Sequence, residues 1–262
     1  MGNKVILILV DGMRPDALLK CGNPYVDELL SKSAYTLKAK TVMPSVTLPC
    51  HMSLFHSVDP ERHGVTTNIF TPQVRPVNGL NKIIKNAGKR SAHFYTWDEL
   101  RDLYRPGEVE KIDFIDIHEY YQDPDTGEYI DTVISRKAID YINLKSPDFA
   151  FIYLGLTDGA GHRAGWLSEL QLFAINNAVS CIKNVIENIP TEYTVIITAD
   201  HGGHDRCHGT DIPEDITIPV IIKGNEYPVG EINKQVSIKD IAPTIAKLLH
   251  IPADKEWEGS VI

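Results

Sequence analysis

The fold is decided by KVILILVDG, Lys4 to Gly12, at the start of the chain. Six consecutive apolar residues, Val5 to Val10, run straight into Asp11, without the alternation expected of a strand with one wet face. Two later stretches are built the same way. FAFIYLG at 149–155 is followed by Asp158, and TVIITA at 194–199 by Asp200. Further β-rich runs occupy 90–96, 112–117 and 219–223, and helical spacing appears near 24–32, 79–88, 131–144, 167–188 and 239–249. Strands apolar on both faces and separated by helices predict an α/β fold: a three-layer sandwich with a mainly parallel central sheet.

The 262 residues read as a single catalytic domain over 1–262. One segment, about 97–130, breaks the rhythm. It is rich in Tyr, Asp, Glu and Pro, carries a DPDTG turn at 123–127, and reads as a small insertion over the sheet edge or the mouth of a site. A content of 43% hydrophobic and 23% charged residues excludes a disordered, collagenous or coiled-coil chain. A net charge of −9 argues against a surface that binds nucleic acid through its phosphates. No apolar run approaches the roughly 18 residues that span a bilayer, so no membrane segment is expected. The N-terminus lacks a small-residue cleavage site. The four cysteines (Cys21, Cys50, Cys181, Cys207) form no CxxC pair, and reduced thiols in the cytoplasm are the expectation. A homodimer is compatible with a soluble enzyme, although no interface is marked.

The acids carry the chemistry. In an open parallel sheet, ligands bind at the carboxyl ends of the strands, and Asp11, Asp158 and Asp200 each stand just beyond such an end. Three carboxylates brought together repel and protonate unless cations lie between them. Histidines accompany them: Asp158-Gly-Ala-Gly-His162 across a glycine-rich turn, the pair Asp200-His201, and His208 beyond. Nitrogen and oxygen ligands without thiolate suit Zn2+, with Mn2+ or Fe as alternatives. An Asp after a strand is ordinarily a cap or turn former, and it is the threefold repetition that favours metal. Ser45-Val-Thr47-Leu-Pro49 supplies a nucleophile. Pro49 suits the first turn of a helix, which places Thr47 at or near the N-cap, where free N–H groups also favour a phosphoryl oxygen.

These residues resemble the alkaline phosphatase superfamily and, within it, the type I phosphodiesterase/nucleotide pyrophosphatase family. The resemblance is carried by VDGMRPD (10–16), TLPCH (47–51), HGVTTN (63–68), LTDGAGH (156–162), ADHGGHDRCHG (199–209) and KDIAPTIAKLLHIP (239–252), in the family's order and across nearly the whole chain. It implies an alkaline-phosphatase-like fold and two divalent ions, one held by Asp158, His162 and His208, the other by Asp11, Asp200 and His201. It makes Thr47 the attacking oxygen, bound to the second ion, and Asn68 a hydrogen-bond donor to a non-bridging phosphoryl oxygen. The implied reaction is a two-step in-line displacement on a small-molecule phosphoester through a phosphothreonine. The alternatives are a phosphomonoesterase, phosphonate hydrolase or phosphomutase of the same superfamily, and a non-catalytic metal-binding protein.

Departures from the pattern are informative. Nucleotide-cleaving relatives place an aromatic residue after the nucleophile, where this chain has Leu48; Trp97, Tyr120 or Tyr121 would have to replace it, and packing is the simpler role for each. His204 competes with His208 as the distal ligand and ranks behind it, because the family's last histidine precedes glycine. Cys50 precedes His51-Met52-Ser53 rather than the x-Pro-x-Arg of sulfatases and reads as a buried reduced thiol. Cys207, weighed as a soft-metal ligand, ranks below a plain thiol.

Overall fold

The run Val5–Val10 lies in strand β1 (Lys4–Val10), and all six of its apolar residues are shielded from solvent. The computed structural model describes residues 4–117 and 129–262. Among them the strands β2 (Ala34–Lys40), β3 (Ser91–Tyr95), β4 (Lys111–Phe114), β5 (Phe149–Leu154), β6 (Tyr193–Thr198), β7 (Thr217–Lys223) and β8 (Gly230–Glu231) join β1 in one sheet, in the order β4-β3-β5-β1-β6-β7-β2-β8. From β4 to β6 every pairing is parallel; β7 runs antiparallel to both β6 and β2. The sheet is therefore mainly parallel.

Two groups of helices cover it. α1 (Pro15–Lys20), α2 (Tyr25–Ser31), α6 (Ile130–Lys145) and α7 (Leu156–Ala164) pack around α8 (Glu169–Asn188), whereas α4 (Pro60–His63), α5 (Leu80–Asn86) and α10 (Ile241–Leu248) pack around α3 (Thr47–His56). A four-residue helix, α9 (Pro213–Ile216), leads into β7. In α8 the buried positions 171, 174, 175, 178, 182 and 185 follow helical spacing, and the Ser168 side chain accepts the Gln171 N–H at its start. The three-layer expectation holds because β1, β5 and β6 are buried along both faces.

Two elements depart from the expectation, β2 and the segment Asp158–His162. β2 gives no apolar run, since it lies second from the sheet edge and its alternate residues, including Lys38 and Lys40, turn outward. Within the segment near 97, a 3-10 turn (Asp98–Leu103) precedes edge strand β4, which falls on the expected β-rich run at 112–117; the DPDTG turn, Tyr120 and Tyr121 lie outside the described residues. Asp158 to His162 is not a turn but part of helix α7, despite two glycines. A Cβ on Gly161 would stand 2.9 Å from the Trp166 ring, so this glycine answers a packing demand rather than a bend. No helix among the described residues is long and apolar enough to cross a membrane.

Candidate metal centre

β5, β1 and β6 are neighbours and parallel, so their carboxyl ends lie side by side. Asp11 leaves β1, Asp200 follows β6, and Asp158 and His162 stand on α7 just beyond β5. Loops bring in the rest. His201 follows Asp200, and His208 arrives from the 199–209 segment, its ring stacked on that of His201 at 3.8 Å.

The polar atoms sort into a consistent pattern. His201 Nδ1 donates to the Gly202 carbonyl (2.8 Å), His162 Nδ1 to that of Arg206 (3.0 Å) and His208 Nδ1 to that of Ser45 (2.9 Å). In a neutral ring, a proton on Nδ1 leaves Nε2 bare. His201 Nε2 then lies 3.3 Å from both Asp11 Oδ1 and Asp200 Oδ2, and His162 Nε2 3.4 Å from Asp158 Oδ2. Lone pairs face lone pairs. Asp11 Oδ1, Asp158 Oδ1 and Asp200 Oδ2 are buried and accept no hydrogen bond from any described residue. A divalent cation between the two sets of atoms would satisfy both.

The ligand-bearing atoms fall into two groups, Asp158–His162–His208 and Asp11–Asp200–His201, each within 4.8 Å. Burial, with Asp200 and Asp158 close by, holds the Asp11 carboxyl well above the usual carboxylate range. Burial pushes Asp200 up to about 8 and raises Asp158, while it pushes His208 down to about 3. The neutral His208 imidazole beside carboxyls that resist ionising alone suits the donor set of a divalent ion.

Thr47 opens α3 as its first residue, directly after the N-cap Val46. Its Oγ1 lies 3.1 Å from His201 Nε2, within the second group. The helix-start N–H groups are not all free to hold an anion, because the Leu48 N–H donates to Asn68 Oδ1 (2.9 Å). That bond orients the Asn68 carboxamide and frees its NH2 for the cavity. Leu48 itself is fully buried, so the residue after Thr47 belongs to the core and not to a substrate wall.

The cavity, about 220 Å³, is lined by Asp11, Thr47, Asn68, Trp97, Ile117, Tyr153, Asp158, His162 and His208. A larger cleft of about 640 Å³ lies at the amino ends of the parallel strands, around Tyr193 and Thr194, and contains none of these metal-capable groups. His208 reaches the centre and His204 does not: His204 Nδ1 is 2.8 Å from Asp215 Oδ1 instead. Arg14 pairs with Asp16 and holds the Gly203 carbonyl.

Three supporting residues have no counterpart in the sequence reading. The Tyr153 hydroxyl donates to Asp11 Oδ2. The buried Asp131 carboxylate accepts the N–H groups of Gly155 (3.1 Å) and Leu156 (3.3 Å), fixing the start of the helix that bears Asp158 and His162. Trp166 donates from Nε1 to the Gly12 carbonyl (2.8 Å) and lies against Gly161 and Gly203, where a Cβ on the latter would be 2.2 Å from the indole. The signal for Trp166 was present as three motif glycines, but their common neighbour is invisible in one dimension.

The family described as type I phosphodiesterase/nucleotide pyrophosphatase matches residues 5–217. The catalytic subunit of human GPI ethanolamine phosphate transferase 2 is 26% identical over 281 aligned positions, covering 99% of this chain and 28% of that protein. A bis(5'-adenosyl)-triphosphatase of Xenopus laevis is 25% identical, covering 92% of this chain and 55% of its own. The chain thus spans about half or less of these relatives' length. Among solved structures, murine ectonucleotide pyrophosphatase/phosphodiesterase 5 in complex with AMP superposes with a TM-score of 0.81 at 14% identity, covering 98% of this chain and 97% of that one.

Proposed function

Because the chain belongs to the type I phosphodiesterase/nucleotide pyrophosphatase family, we propose that it hydrolyses small-molecule phosphodiesters with two divalent ions and Thr47 as nucleophile. The observation that carries the reading is the set of three donorless carboxylate oxygens facing three bare imidazole nitrogens, with the Thr47 hydroxyl beside them. Asp158, His162 and His208 would hold one ion, and Asp11, Asp200 and His201 the other, with Thr47 joining the second. Bound there, divalent ions supply the positive charge that stabilises attacking and departing oxygens in an in-line displacement. The donor set of imidazole and carboxylate favours Zn2+, ahead of Mn2+ or Fe.

The chain's own groups then act as follows. Thr47 Oγ1 attacks phosphorus as the bond to the leaving group breaks, giving a phosphothreonine that water cleaves to restore the hydroxyl. Asn68, oriented by the Leu48 N–H, donates to a non-bridging phosphoryl oxygen. Tyr153 and Trp166 hold Asp11 and Gly12 against β5 and α7. No lysine or arginine lines the cavity among the described residues, which suits a diester with one negative charge better than a monoester with two. Four unpaired cysteines suit a reducing compartment, and we place the protein in the cytoplasm on that ground.

The test is turnover of a chromogenic phosphodiester and the matching monoester side by side, with Zn2+ and then Mn2+, using Thr47→Ala as blank. Diester preference that disappears in Thr47→Ala, with metal content retained, is expected. Monoester preference overturns the substrate class, and undiminished turnover in Thr47→Ala overturns the nucleophile.

A further inference from the structure

A second meeting of metal-capable side chains lies just outside the centre, on the turn from His204 to Cys207. Its backbone is closed on itself: the His204 N–H donates to the Cys207 carbonyl and the Cys207 N–H to the His204 carbonyl, both at 2.9 Å, with Asp205 left-handed at φ 45°. The turn is therefore preformed. His204 Nδ1 lies 2.8 Å from Oδ1 of Asp215, a carboxylate with no exposure, whose Oδ2 accepts the N–H (2.9 Å) and hydroxyl (2.8 Å) of Thr210. The proton is thus held on Nδ1. His204 Nε2 faces Cys207 Sγ at 3.4 Å, within hydrogen-bond distance.

That pair has the bite of a metal chelate. With zinc–sulfur and zinc–nitrogen bonds of about 2.3 and 2.0–2.1 Å, tetrahedral geometry puts the two ligand atoms about 3.6 Å apart. A carboxylate behind a histidine is also the usual outer partner of a metal-bound imidazole, fixing its tautomer and raising its basicity. Accessibility singles out the thiol: Cys207 is exposed, whereas Cys21, Cys50 and Cys181 are buried.

We propose that Cys207 and His204 form a further metal site, distinct from the carboxylate–imidazole centre, that takes a thiophilic divalent ion such as Zn2+, with Asp215 orienting His204 and water completing the coordination. The thiol proton is released to solvent as the sulfur–metal bond forms. Two protein ligands make this a site that fills after the buried groups, when metal is plentiful. It is tied to the centre through the backbone. The Arg206 carbonyl within the turn orients His162, the Asp205 carbonyl accepts the Trp166 N–H (2.8 Å), and His208 follows Cys207 directly.

The experiment is a Co2+ titration of the metal-stripped full-length chain, followed by absorption. Imidazole and carboxylate ligands give only weak visible bands, whereas a thiolate ligand adds an intense charge-transfer band in the near ultraviolet. That band is expected to appear in the later part of the titration, to bleach on adding Zn2+, and to be missing in Cys207→Ser, which keeps its visible bands and so reports itself folded. Asp215→Asn is expected to weaken binding at this site roughly ten- to a hundredfold. No charge-transfer band in the wild type, or one that survives Cys207→Ser, overturns the proposal. The readout does not depend on turnover: a charge-transfer band without the visible bands of the buried centre refutes the two-ion reading and leaves this one standing.

Discussion

Asp131→Asn separates the role of a buried acid from that of the proposed metal ligands it supports. Asp131 has no exposure, and both its oxygens accept backbone N–H groups at the start of α7. Burial pushes its carboxyl up to about 7, from 3.8 in the unfolded chain. Over that interval the native state holds a proton that the unfolded state has released, so the unfolded chain binds fewer protons and stability falls as pH rises. About three pH units at 1.36 kcal/mol each give a loss of up to about 4 kcal/mol between about pH 4 and pH 7, levelling off above. Asparagine has nearly the same shape but does not titrate. It also offers one oxygen for two N–H groups, which leaves one of them facing an NH2 and costs about 1–3 kcal/mol.

The wild type is therefore expected to exceed Asp131→Asn in stability most at about pH 4, and the advantage to shrink or reverse by about pH 8. Urea unfolding of both proteins across that range, with identical metal supply, gives the difference curve. Contributions from Asp11, Asp158 and Asp200 cancel in it, because both proteins carry them. A difference that stays constant with pH refutes the reasoning, since it would mean that Asp131 keeps one protonation state throughout.

Gly203→Ala puts a Cβ 2.2 Å from Trp166 Cε2, so the indole must leave or the Asp200–Gly203 backbone must move. We expect a loss of about 1–3 kcal/mol together with reduced metal content, and unchanged thermal unfolding and metal content would show that the indole is not wedged there. His162→Ala and Asp200→Asn each remove one ligand from a different group. Each is expected to lose mainly one of two bound ions by elemental analysis, and full retention of both ions in either variant contradicts the assignment.

How much of this was legible depended on which side of a residue its environment lies. β1, β5 and β6 were readable because burial on both faces leaves an uninterrupted apolar run. β2 was not, because it lies second from the sheet edge and its lysines interrupt the apolar residues. Asp11, Asp158 and Asp200 were readable from their places at strand ends, a position set by chain order alone. Tyr153 and Asp131 were not. Tyr153 is one apolar-looking residue within FAFIYL, and Asp131 resembles any acid in the first turn of a helix; what distinguishes them is a partner more than twenty residues away.

The glycines show the same limit from the other direction. Gly12, Gly161 and Gly203 sit in three separate motifs, and each alone reads as a mark of a turn. Only Gly12 needs a left-handed backbone, at φ 66°. Gly161 and Gly203 are required to be small because Trp166 lies against them, and Gly12 both approaches the same ring and accepts its N–H. One indole outside every motif thus holds together the segments that bear Asp11, Asp158 with His162, and Asp200 with His201. A motif records the residues that had to make room; the residue that occupies the room becomes visible only when the segments are brought together in space.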